Sequence, residues 1–135
     1  MADYTVARFD ELEGFYNGIF RKARAALGVT AFGLSIVEIP EHSVHYPEHN
    51  HPSGQEEVLI VLKGSGRLIL DEGAEHVDLE PDMMVRIGPA TKRTIRVGDE
   101  GMRLVAIGGI PGQGYEAPAF TELGALDPLL KRPGS

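Results

Sequence analysis

The chain has 135 residues, 42% of them apolar and 24% charged, with a net charge of −7, the make-up of one globular domain large enough to bury a core. It contains no cysteine, which excludes disulfides, thiolate metal sites and cysteine nucleophiles and leaves His, Asp, Glu or water to hold any metal. The acidic balance without a Lys/Arg cluster argues against nucleic acid as a partner. With no basic leader and no apolar run long enough to span a bilayer, a cytoplasmic protein without a membrane partner is expected.

In chain order, residues 1–29 read as an N-terminal extension. Asp10-Glu11-Leu12-Glu13 opens a helical turn, but Gly14 and Gly18 weaken a long helix through Phe15, Ile19 and Phe20. A short helix and an edge strand both fit Arg21 to Leu27. Thr30 to Ile39 is β-branched and apolar and is stopped by Pro40, so it predicts a strand. Val44 to His51 leads into Glu57–Leu62, the clearest strand in the chain. Lys63-Gly64-Ser65-Gly66 predicts a turn, Arg67–Leu70 a strand, and Asp71-Glu72-Gly73 a second turn that folds His76–Leu79 back as a hairpin. Glu80-Pro81-Asp82 is a further turn before a strand over Met83–Ile87. Thr94–Val97 and Met102–Ile107 are strands separated by a turn at Gly98-Asp99-Glu100-Gly101. Short strands at intervals of roughly eight to twelve residues with Gly/Pro punctuation indicate a sandwich or barrel over residues 30–110. Residues 111–135 form a tail whose Phe120, Leu123, Leu126, Leu129 and Leu130 are expected to pack on the barrel or on a second subunit. Both parities of Val58–Leu62 are apolar, so a homodimer is expected as well.

The chemistry concentrates between Glu48 and Gly66. Side chains at i and i+2 of an extended strand leave the same face, so His49 and His51 aim two imidazoles at one point. Six residues past His51, after a tight turn at Pro52-Ser53-Gly54, Glu57 heads the next strand and offers a third ligand. Two His and one carboxylate suit a divalent transition metal (Fe, Mn, Zn, Ni or Cu) and leave positions open for a substrate.

His-x-His, a Glu several positions on, and apolar residues leading to Gly resemble the first sequence motif of the cupin superfamily. The resemblance implies an all-β double-stranded β-helix, or jelly-roll barrel, in which two His and one Glu of this motif share a metal with a His of a second motif. It tips residues 21–27 towards strand. In the family's usual spacing the Glu lies seven positions before the closing Gly, which picks Glu57 against Gly64. Counting forward from His51 picks Glu56; the Gly64 count fixes the strand register and favours Glu57. The second motif matches Leu79 to Thr94 in frame, but its histidine is replaced by Arg93 or Thr94, depending on register. Alternation favours an inward Arg93, which shares parity with Ile95 and Val97.

An arginine cannot ligate a metal. Two arrangements therefore compete: a three-ligand site of His49, His51 and Glu57 with Arg93 aimed at a substrate anion or at Glu56, or an Arg93–Glu57 pair with the histidines lining a polar cavity. The first, favoured because a close His pair facing a carboxylate is what such sites require, makes the protein a metal-dependent oxygenase, isomerase or lyase acting on a small polar or acidic metabolite, with Arg93, Glu56 and Tyr46 as substrate-binding residues. The second makes it a non-enzymatic, metal-free binding module for a small-molecule ligand. His42, His45 and His76 fall in or near turns and are expected in solvent, with His45 on the parity of the pair. Tyr115 is expected at the rim, and Met83 and Met84 in the core.

Overall fold

The computed structural model describes residues 1–130; residues 131–135 of the expected tail, and the side chain of Leu130, lie outside the described residues. Seven strands form one antiparallel sheet: β1 (Gly14–Phe15), β2 (Phe20–Arg21), β3 (Gly33–Ile39), β4 (Glu56–Leu70), β5 (Glu75–Leu79), β6 (Met84–Ile87) and β7 (Arg93–Gly109). Their order is β1-β2-β3-β7-β4-β5, with β6 paired to β4. The all-β expectation is met. The helix α1 (Ala23–Leu27) corrects the strand favoured there. Three alanines in five residues carry the helical preference, and Gly28 ends it at φ 76°, its N–H donating to the carbonyls of Ala25 and Arg24.

Two expected turns are interruptions inside long strands. β4 runs unbroken for 15 residues and β7 for 17, pairing from Glu56↔Gly109 to Leu70↔Arg93 with register shifts at Val61/Lys63 and Gly64/Gly66. Between Gly64↔Met102 and Gly66↔Val97, β7 spends five residues against two of β4, so Gly98–Gly101 bulge out of the ladder instead of reversing it. Gly64 has φ 76°, and a Cβ there would overlap the Gly101 carbonyl. Only glycine lets the two backbones approach this closely.

The bulges fold the β4–β7 ribbon over a common core. Leu59 and Val61 from its first half and Leu68 and Ile95 from its second belong to one buried cluster with Val37, Leu79, Ile87 and Leu104. Alternation decides which side chains enter it. Glu57, Leu59 and Val61 are buried, while Val58 and Ile60 between them are only half-buried. The hairpin at Asp71–Gly73 joins β4 to β5 as expected. Met83 packs against the core, but Met84 is 75% exposed, since its partner Ile60 lies on the outer face. Among the described residues no helix is long and apolar enough to cross a membrane.

Candidate metal centre and its cavity

The stretch 49–51 is held extended by backbone bonds to β7 and to the turn before it. His49 N–H donates to the Arg93 carbonyl at 3.1 Å, Arg93 N–H returns a bond to His49 at 2.9 Å, and His51 N–H donates to Pro89 at 2.8 Å. Extended backbone throws the two imidazoles to one side, where their ring centroids lie 5.1 Å apart with planes at 86°. Glu57 meets them from the inner face of β4. One ligand atom from each of His49, His51 and Glu57 lies within 4.8 Å of the others, and His51 Nε2 is 3.6 Å from Glu57 Oε2.

The donor set fits a cation. His51 Nε2 and Glu57 Oε1 are buried without a hydrogen-bond partner, and such atoms are ordinarily paired. His49 Nδ1 donates to the Pro47 carbonyl at 2.9 Å, which fixes the ring and leaves Nε2 with a free lone pair. Burial holds the His49 pKa below the ordinary histidine value, against the pull of the Pro47 bond and of Glu57. The neutral, ligating form of the ring is thereby favoured.

Arg93 is fully buried, as alternation predicts. It donates to the Gly88 carbonyl at 2.8 Å, while Nη1 stands 4.0 Å from Glu57 Oε1, too long for the bidentate pair of the competing arrangement. Thr94 is buried too, its Oγ1 donating to the Tyr46 carbonyl at 3.1 Å. Neither Glu56 nor Tyr46, both expected to bind substrate, borders the cavity beside the triad. Glu56, one residue out of phase with Glu57, leaves β4 on the other face and pairs with Arg86 at 2.6 Å. Tyr46 is buried between Phe20 and His49, with ring centroids at 5.4 and 5.9 Å; burial above all, aided by the charge of Glu57 against that of Arg93, lifts its phenol far above the ordinary range. The Arg93 guanidinium does not line the cavity. His42 pairs with Asp99 at 2.7 Å on the surface, and His45 and His76 are exposed.

The triad stands in the wall of a cavity of about 440 Å³. The other walls come from the two terminal segments, with Tyr115 at the rim where it is expected. Phe15, Tyr16 and Phe20 of the N-terminal segment and Tyr115 and Phe120 of the tail converge there, with Phe15 stacked on Phe20 at 5.4 Å and edge-on to Phe120 at 5.4 Å. Lys22 and Arg24 fasten the two segments together. Lys22 Nζ bonds the Glu13 carboxylate and, at 2.8 Å, the Glu122 carbonyl, while Arg24 meets the Glu122 carboxylate at 2.7 Å. Tyr115 lies over Gly33. A cluster of three aromatic residues between Phe15 and Phe20, in a stretch with no helical or strand period, was the one available signal.

Comparison with known proteins agrees with this architecture. A cupin-domain family model matches residues 35–108. A cupin protein from Bacteroides fragilis is similar at 23% identity, covering 90% of this chain and 95% of that one with a TM-score of 0.67. An RmlC-like cupin from Desulfovibrio desulfuricans is similar at 18% identity over 59% of this chain and 73% of that one, TM-score 0.52. KdgF from Halomonas sp. is similar at 14% identity over 59% and 69%, TM-score 0.52. At these identities the solved structures speak for the fold alone, and no curated protein matches the chain. A family match over more than half the sequence, joined to a barrel that solved cupins share, places the chain in the cupin family.

Proposed function

We propose that this cupin is a metal-dependent enzyme acting on a small, acidic metabolite, with His49, His51 and Glu57 as the metal ligands. The observation that carries this reading is the pair of buried, unpartnered atoms, His51 Nε2 and Glu57 Oε1, on a wall of a cavity large enough for a substrate. A divalent transition metal bound there supplies Lewis-acid polarisation of a ligand oxygen, the chemistry that oxygenases, isomerases and lyases share. The chain's own contribution is positional. The Pro47 carbonyl holds the His49 ring through Nδ1, the backbone bonds to Arg93 and Pro89 keep both imidazoles on one side, and the aromatic wall excludes water. Arg93, permanently charged behind Glu57, adds positive potential towards an anionic substrate.

The test is elemental analysis of protein purified without chelator. Near-stoichiometric transition metal that disappears in His49→Ala is expected. Absence of metal in both proteins, with no uptake on titration, overturns the reading. We further propose a homodimer. Leu62 and Met84 are exposed and Val58 and Ile60 half-buried on the outer face of the barrel, which favours a covered surface. A monomer in light scattering at micromolar concentration refutes that part.

A further inference from the structure

The cavity exists because of four small residues on two neighbouring strands. Gly33 and Ser35 of β3 stand opposite Gly108 and Ala106 of β7, and Gly108 and Ala106 stand in turn opposite Glu57 and Leu59 of β4. All share the face that buries Glu57. One step further along the same face the barrel carries Val37, Leu104 and Val61, each at most 1% exposed. Side chains of that size at 33, 35, 106 and 108 would fill the space; as it is, the Gln55 amide already lies across Gly108, where a Cβ would overlap it. Tyr115 likewise lies over Gly33, so the open part of the floor is at Ser35 and Ala106.

Facing the cavity from the terminal segments are three phenylalanines and two tyrosines. The whole chain has five and four of these residues, so more than half of its aromatic side chains converge on this one space. A gap opened by small residues under an aromatic wall is shaped for a planar group, and aromatic rings favour stacked and edge-on contacts with one another. The cavity of about 440 Å³ compares with an engineered apolar cavity of roughly 150 Å³ that takes benzene, which leaves room for a ring and a polar head. The head has one destination. Glu57, 8% exposed, presents an unpartnered Oε1 beside the unpartnered Nε2 of His51, and a divalent cation there, with Arg93 behind it, outweighs the single negative charge of Glu57. Lys22 and Arg24 also line the space but are engaged by Glu13 and Glu122, so the inner end is where an anion gains most.

We propose that the cavity binds a molecule with a planar aromatic body and an anionic oxygen at one end, the ring lying between the Ser35–Ala106 floor and the Phe15–Phe20–Phe120 wall, and the oxygen at His49, His51 and Glu57. The destination of the oxygen rests on the metal reading above; the ring slot does not. The test is calorimetric titration of zinc-loaded protein with benzoate and with acetate, which share a head and differ in body. Benzoate is expected to bind about tenfold or more tightly than acetate. Ala106→Leu, and independently the milder Ser35→Val, are expected to bring benzoate down to the level of acetate while zinc content stays unchanged. Equal affinity for the two acids in the unmodified protein, or a benzoate preference that survives both substitutions, overturns the slot. Failure of the metal reading looks different. Elemental analysis then finds no zinc, yet toluene still shifts the ring resonances of Phe15 and Phe120 in the metal-free protein, and Ser35→Val abolishes the shift; no shift with toluene overturns the slot as well.

Discussion

The inner face of the barrel has two ends built on the same strands. At one, Val37, Leu104, Val61, Leu68 and Ile95 interlock with almost no exposed surface. At the other, two to four residues along the strands, the side chains shrink to Ser35, Ala106 and Gly108, and Glu57 enters the wall beside two histidines. The alternation of the strands is identical at both ends, so the difference lies in side-chain size and polarity alone. One end is therefore where stability is concentrated, and the other is where buried polar atoms are left without partners, a cost that a bound cation would offset.

Substitutions can separate the two ends. The largest effect is expected from Leu104→Ala at the packed end, which should lower unfolding free energy by about 2–5 kcal/mol in chemical denaturation while leaving metal content unchanged. A comparable loss of bound metal would show that the ends are not separable. Next comes Glu57→Gln, expected to weaken metal binding about a hundredfold or more, since it removes the one anionic ligand; competition with a chromogenic chelator measures it. Arg93→His is expected to act in the opposite direction, tightening metal binding by about tenfold by putting an imidazole on a residue whose side chain is directed at Glu57. No change in that assay would mean that residue 93 does not point at the metal. The smallest effect belongs to Glu122→Gln, whose carboxylate is half-exposed in its pair with Arg24. It should cost under about 1 kcal/mol of stability, yet speed proteolysis of the tail, because Glu122 holds that segment against Arg24.

The packed end and the triad were both legible in the sequence, for the same reason. Strand alternation is a local rule, and it places Leu59, Val61, Glu57 and the His49/His51 pair without knowledge of their partners. It also puts Arg93 inside. What was not legible depends on contacts distant in sequence. Gly64 carries the signal of a turn, but its positive φ serves a bulge equally well, and only the facing Gly101 decides between them. Glu56 and Tyr46 are close to the triad in sequence, but Glu56, next to Glu57 in the strand, faces the other way and Tyr46 packs in the core. The aromatic wall is not legible as a unit because Phe15 and Phe120 meet across the chain, through tertiary packing that no periodicity encodes.

The make-up of that wall gives the molecule an optical property. The chain has no tryptophan and four tyrosines, and Tyr16 and Tyr115 are among the side chains that border the cavity. Ultraviolet emission from this protein is thus tyrosine emission, half of whose sources sit against whatever fills the space, so the protein reports its own occupancy without a dye or a label.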